Sequence, residues 1–455
     1  MSTTGLQQAV AKMEAAGVMP AAIRTFQDQY ARLEQGAAGF IAEETIEPMA
    51  EPVKLADLEV DPGQAREALD RTVVVKLNGG LGTSMGLDKA KNLLEVRDGK
   101  TFLDIIVQQV LAARAKHGVR LPLLFMNSFR THDDTLEALA EYPELAVDGL
   151  PLAFVQNQEP KLRVDDLTPV EWPEDPSLEW CPPGHGDVYT ALYGSGILEQ
   201  LLQAGFERMM VTNGDNLGAS PDATMAGWFA ASGAPYAAEL CRRTVNDRKG
   251  GHLAARRSDG QLILRDTAQT LPEQMHFFTD TDHHPYFHTN NLWVDLRVLH
   301  REMAQRDGVL GLPLIRNEKN VDPTRPDSPK VYQMESAMGA AIEVFEGATA
   351  ICVGRERFLP VKTTNELLLL RSDLYELDED GLLQARATTP RVELDSHYKL
   401  VQDFSRRIPH PLGLREATSF TVSGDVTFGR DVTVVGDVAV TATEPTTVDD
   451  GTVLR

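Results

Sequence analysis

Ten residues, Leu77-Asn-Gly-Gly-Leu-Gly-Thr-Ser-Met-Gly86, constrain this chain more than any other stretch. The segment before them, Thr72-Val-Val-Val-Lys-Leu77, is short, β-branched and apolar, which predicts a buried strand. Gly79, Gly80, Gly82 and Gly86 then forbid regular structure and leave bare backbone that a ligand can approach closely. Main-chain N–H groups turned into such a loop form an anion-binding concavity, and Lys89 and Lys91 follow to supply positive charge. A nucleoside triphosphate is the ligand that needs both. Two better-known glycine loops do not fit. The NTPase phosphate loop requires Lys and then Ser or Thr after its last glycine, but Leu87-Asp88 follows Gly86. The dinucleotide fingerprint from Gly80 and Gly82 requires glycine at 85, where Met85 stands.

From Thr72 onward, strands and helices alternate. Thr101 is placed to cap a helix with an apolar face of Phe102, Ile105, Ile106, Val110 and Ala113, ending near Gly118. Leu121–Met126, Leu152–Val155 and Phe206–Thr212 read as further strands, and Asp133–Glu141 as a helix. Apolar strands alternating with helices predict an α/β fold whose sheet is covered on both faces, with ligands beyond the carboxyl ends of the strands. The glycine loop, Gln156 and Asn213–Asp215 all follow a strand directly, so one cleft can collect them. Asp215 at a strand tip suits Mg²⁺, a hard cation that takes oxygen donors; a helix N-cap is the alternative role.

The loop closely resembles the nucleotide-binding loop of the eukaryotic-type UTP–glucose-1-phosphate uridylyltransferases, or UDP-glucose pyrophosphorylases. Further stretches match in family order: Pro182–Asp187, Asn213–Ala219, Thr289–Val294, Met334–Ala341, Arg357–Thr364 and Phe420–Gly429. The resemblance implies a doubly wound, Rossmann-like, nucleotidyltransferase A-type mixed sheet. It implies Mg²⁺-dependent transfer of UMP from UTP to glucose 1-phosphate, giving UDP-glucose and pyrophosphate. Related pyrophosphorylases for other UDP-sugars or UDP-N-acetylhexosamines share the loop, and a catalytically silent nucleotide-binding scaffold is the reading from another class.

The resemblance also implies site residues. Leu77, Asn78, Gly79, Gly80, Gly82, Thr83, Gln156 and Gly184 would bind the nucleotide, with Gln156 reading the uracil edge. His185, Asn213, Asn290, Asn291, Glu335 and Gly339 would face the sugar phosphate, and Glu335 would accept from sugar hydroxyls. Lys91, Lys362 and Asp215 would be catalytic, Asp215 holding the metal, and Lys249 is a candidate phosphate contact. Gly184 and Gly186 are expected to let ligand approach. Two positions depart from the family: Gly214 replaces a bulkier residue, which is expected to loosen the tip carrying Asp215, and His288 replaces an Asn. His283, His284 and His288 invite a zinc reading, which fails for want of a partner cluster of Cys or His.

Length and charge bound the rest. At 455 residues the chain exceeds one ordinary core. Residues 1–70 are expected to be a helical extension ending in an acidic, proline-punctuated linker from Glu43 to Pro52, residues 71–389 the catalytic domain, and 390–455 a C-terminal unit. In that unit Phe420, Val426, Val432 and Val438 recur every six residues, as do Val422, Phe428, Val434 and Val440. A period of six with β-branched residues predicts a parallel β-helix, expected to be left-handed and to serve docking or homo-oligomer formation. The net charge of −23 argues against nucleic acid or anionic membrane as partner. No apolar run is long enough to span a membrane, the first residues lack the basic-then-apolar pattern expected of a secretory signal, and Cys181, Cys241 and Cys352 show no pairing pattern. A cytoplasmic protein with reduced thiols is expected.

Overall fold

The computed structural model describes residues 3–36, 39–147, 149–244, 247 and 250–455. Its centre is an eight-stranded mixed sheet. In chain order the strands are β1 (Val53–Lys54), β2 (Thr72–Asn78), β3 (Leu123–Asn127), β4 (Ala153–Val155), β5 (Arg208–Asn213), β6 (Tyr236–Arg242), β7 (Tyr286–Asp295) and β8 (Thr349–Cys352). They lie in the order β1-β8-β6-β7-β5-β2-β3-β4. All neighbours are parallel except β7, which runs antiparallel to both β5 and β6.

The alternation of a strand explains the two cores. Val74 faces one side with Phe125, Met210 and Trp293, whereas Val73 and Val75 face the other with Leu124, Met126 and Val211. Helix Phe102–His117 covers the first face. Thr101 caps it through a reciprocal box with Asp104, and Gly118 closes it at a φ of 61°. Chain order reverses across β2 and β5, so a crevice opens beyond their carboxyl ends. Register aligns those ends: Asn213 lies beside Leu77, Asn78 beside Asn127, and Asn127 beside Val155.

Helices Thr3–Ala15 and Pro20–Glu34 pack Ala9, Met13, Phe26, Tyr30 and Leu33 onto Leu162 and Met334. They brace a three-stranded sheet of Leu162–Arg163, Lys330–Glu335 and Ile315–Asn320, whose middle strand ends at Glu335. The stretch read as a linker is instead built into sheets. Ile46–Pro48 pairs with His252–Arg256, and Val53–Lys54 forms the edge strand β1. Prolines disfavour an interior strand but not an edge, so Pro48 is compatible with its pairing, and Pro52 directly precedes β1.

At the C-terminus, Arg391–Leu394, Gly413–Ser423, Thr433–Thr441 and Val453–Leu454 form one parallel sheet, and Val426–Phe428 pairs in parallel with Thr446–Val448. Phe420 lies beside Val438, and Val422 beside Val440, so three six-residue units separate partners in successive layers. Of the eight periodic residues all but Val440 are buried, and they join the same apolar core as Val74 and Phe125.

Candidate active site

The crevice beyond β2 and β5 is where the charged site forms. After β2 the chain makes a left-handed turn at Gly82 (φ 66°), runs through a short 3-10 turn at Thr83–Met85 and turns again at Gly86 (φ 76°). It then folds back so that Lys91 N–H donates to the Gly80 carbonyl at 3.1 Å. The Lys91 ammonium donates to Asp215 Oδ2 at 2.6 Å and also to the Val361 carbonyl. With two of its three protons spent in this way, one remains for a ligand. Val361 N–H in turn donates to the Asp215 carbonyl at 3.1 Å, and the exposed Lys362 follows directly. Lys91, Asp215 and the residue before Lys362 are therefore in mutual contact, drawn from three separate segments. Asp215 does not cap a helix; Asp222 caps the next one, accepting from Met225 N–H.

Gly214 explains itself. A Cβ there would sit 2.2 Å from Asn92 Nδ2 and 2.7 Å from the Leu77 carbonyl, which accepts from Gly214 N–H at 2.9 Å. The tip carrying Asp215 is thus clamped rather than loosened. Along the loop, Gly79 faces the Gln156 amide, with Nε2 at 2.7 Å from an added Cβ, while Gly80 has nothing within 4 Å. Asn78 spends its amide N–H groups on Asn127 and Thr135, both at 2.8 Å, so its side chain anchors the loop from below. Asn213 is half-buried at the end of β5.

The sugar-side stretches assemble on the end of Lys330–Glu335. Here the reason for two glycines differs from the expected ligand approach. A Cβ on Gly184 would fall 2.6 Å from the Ser336 carbonyl, and one on Gly186 would fall 2.4 Å from Ser336 Oγ. The chain's own Glu335–Ser336 segment fills that space, bonded through Ser336 N–H to Pro183 and Gly186 N–H to Ser336. Between these glycines His185 Nδ1 accepts from Met338 N–H at 3.0 Å, which places its proton on Nε2. Burial pushes its pKa down to about 4, so it is a neutral donor rather than a cation. Gly339 likewise owes its lack of a side chain to packing: His288 Cε1 and Leu264 Cδ2 would lie 2.7 and 2.9 Å from a Cβ. His288 is buried, Nδ1 accepting from Asn290 N–H at 3.1 Å, and burial lowers its pKa to about 4.

Asn290 and Asn291 part company. Asn290 is half-buried with a φ of 60°, whereas Asn291 is fully buried and bonded to Glu239, Asn216 and the Arg357 carbonyl. The Asn291 amide is spent on these partners within the protein. Lys249 lies outside the described residues.

Several polar residues around the site escaped the sequence reading. Asp187 takes Asn157 N–H at 2.6 Å and its amide at 2.8 Å, yet burial raises its pKa to about 7. Lys76 is fully buried in β2 and donates to the Ala219 carbonyl at 2.7 Å; burial lowers its pKa to about 7. A lysine inside Val73-Val-Val-Lys-Leu77 was the available signal. His283 and His284 do meet a third group, Glu43, with Nε2–Oε1 distances of 2.8 and 3.1 Å, but His288 is elsewhere. Arg265 already pairs with the other Glu43 oxygen and neutralises it, so the cluster reads as a hydrogen-bonded latch for the Glu43 segment.

The model of the UTP–glucose-1-phosphate uridylyltransferase family matches residues 23–435. The chain belongs to that family. It is 41% identical to the UTP–glucose-1-phosphate uridylyltransferase of Solanum tuberosum over 395 residues, 86% of this chain and 80% of that protein. It is 37% identical to the Hordeum vulgare enzyme of the same name over 449 residues, 96% and 92% of the two chains. Among solved structures, UDP-glucose pyrophosphorylase of Leishmania major (a mutant in complex with UDP-glucose) superposes with a TM-score of 0.92 at 43% identity, covering 99% of this chain and 98% of that one. This member of the uridylyltransferase family therefore presents Lys91, Asp215 and Lys362 at the head of its mixed sheet. No helix among the described residues is long and apolar enough to cross a membrane.

Proposed function

We propose that this chain transfers UMP from UTP to glucose 1-phosphate, releasing pyrophosphate and forming UDP-glucose, in a reversible reaction. The observation that carries the reading is the convergence of Lys91, Asp215 and the Val361–Lys362 turn at the carboxyl ends of β2 and β5, in a chain whose family match spans residues 23–435. A sugar-phosphate oxygen attacks the α-phosphorus in line, and pyrophosphate leaves opposite. That oxygen is already anionic, so no general base is needed, and His185, neutral with a proton on Nε2, is suited to donate rather than abstract.

The difficulty is bringing two polyanions together in a protein of net charge −23. The remaining Lys91 proton and the exposed Lys362 ammonium bind phosphate oxygens from two sides, and the bare backbone at Gly80 admits the triphosphate. Gln156, whose amide borders Gly79, reads the uracil. Asp215 fits Mg²⁺: it is a half-buried carboxylate with Oδ2 on Lys91, and Mg²⁺ is commonly held by one or two carboxylates together with substrate phosphates. When bound, the ion supplies positive charge that offsets the phosphates. Glu335, Asn290 and Asn213 line the sugar side. We assign residues 390–455 to a left-handed β-helix available for self-association, and the protein to the cytoplasm, where its three cysteines stay free.

The test is pyrophosphate release with Mg²⁺, glucose 1-phosphate and each nucleoside triphosphate in turn. Release with UTP alone is expected; release with another nucleotide in preference to UTP would overturn the base assignment.

A further inference from the structure

Beneath the catalytic tips lies a buried polar network that the reaction itself does not use. Glu239, on β6, is completely buried and accepts four bonds. Arg357 donates twice, Nε and Nη2 each at 2.8 Å, Trp293 Nε1 donates at 3.0 Å, and Asn291 Nδ2 at 3.1 Å. Burial alone would raise the Glu239 pKa, but the Arg357 guanidinium outweighs it and holds the carboxyl below its ordinary value. The Arg357 carbonyl then accepts from Asn291 and from Asn216, each at 3.2 Å.

Asn216 occupies the critical place. It follows Asp215, and its side chain makes bonds to two other segments. Nδ2 donates to Asn291 Oδ1 at 3.1 Å as well as to Arg357, and Oδ1 accepts from Leu359 N–H at 2.8 Å. Its backbone bridges to Pro360, two residues before Lys362. The two segments also touch at Gly218, where a Cβ would lie 2.4 Å from the Glu356 carbonyl. Lys76 holds the far end of the turn through Ala219. An amide that reads the Arg357–Leu359 backbone sets which residue of that segment stands beside Asp215.

We propose that Asn216 is a positioning residue: seated on the Glu239–Arg357 pair, it fixes the register between the Asp215 turn and the segment bearing Lys362, and so the distance between the metal-binding and phosphate-binding charges. This rests on the catalytic roles given above to Asp215 and Lys362.

A double-mutant cycle tests it on the 455-residue chain. Asn216→Ala should lower kcat about 10- to 100-fold, the size of loss that small misplacements cause, with KM for UTP changed less than about twofold. In a Lys362→Ala background the same substitution should cost less than about twofold, because the charge it positions is gone. A full multiplicative loss in that background, or wild-type kcat in a folded Asn216→Ala, would overturn the proposal. Wild-type turnover by Lys362→Ala would instead overturn the catalytic reading on which it stands. If Asn216→Ala does not fold, Asn216→Ser, which keeps a hydroxyl acceptor for Leu359 N–H, is put through the same cycle with the same criteria.

Discussion

Lys91 carries the sharpest expectation at the level of single residues. Its ammonium is held by Asp215 and Val361, so Lys91→Ala removes one preorganised charge without opening the apolar core. Turnover should fall about 10²- to 10³-fold while the thermal midpoint stays within a few degrees; wild-type turnover would remove Lys91 from the mechanism. His185 gives a pH expectation. Its folded pKa of about 4 lies below the ordinary 6.5, so burial favours the neutral form. The stability linked to that form is present above about pH 6.5 and is lost as pH falls toward 4. The kcat profile should accordingly show no His185 limb near pH 6.5, and a limb there that vanishes in His185→Asn would contradict the neutral-donor role. Lys76 acts in the same direction but in a higher pH window. Between about pH 7 and its ordinary 10.5, the unfolded chain keeps a proton that the folded chain has shed, so stability contributed by this residue rises with pH. Urea midpoints at pH 7, 8 and 9 should rise less steeply in Lys76→Met than in the wild type, and equal slopes would refute the assignment.

Loops and strands explain which parts of the sequence were legible. The triple valine before the glycine loop and the Thr101–Gly118 caps carry their instructions locally, so strand and helix appear where the residues place them. The Glu43–Pro52 stretch carried composition but no pairing partner; its strand, and the Val53–Lys54 strand just after it, exist only because His252–Arg256 and Thr349–Cys352 offer edges far along the chain. The inward bonds of Asn291 left no mark for a similar reason, since its acceptor Glu239 is 52 residues away. Gly184 and Gly186 were read as admitting ligand, Gly339 as facing it and Gly214 as loosening its tip, but sequence does not say what stands beside a glycine. At each, the neighbour is another part of this chain. Gly214 is the one to test. Gly214→Ala drives a methyl group against Asn92 and should cut turnover at least tenfold by shifting Asp215, a loss of the size small misplacements produce. Asn92→Ala in the same chain should recover part of it; no recovery would show that the Leu77 carbonyl, rather than Asn92, sets the limit.

Across the whole molecule, one apolar core joins the C-terminal strands to the main sheet, with Phe420, Val426 and Val434 in the same cluster as Val74 and Phe102. The six-residue period predicted parallel stacking there, whereas its merger with the sheet's core draws together residues from distant parts of the chain and left no mark in the sequence. On the proposed reading, a net charge of −23 surrounds a phosphate site, and the gathered cations and a divalent ion offset that background. Asp215→Asn should therefore shift the Mg²⁺ titration of turnover to higher concentration, and an unchanged titration would count against Asp215 as the ligand.

The proposed reaction is tested most directly by pyrophosphate release from the purified protein in Mg²⁺ and glucose 1-phosphate, with UTP, ATP, GTP and CTP supplied separately. Release with UTP and little with the other three is expected, together with formation of UDP-glucose. Release with no nucleotide, from a protein that binds UTP by calorimetry, would contradict glucose 1-phosphate as the acceptor.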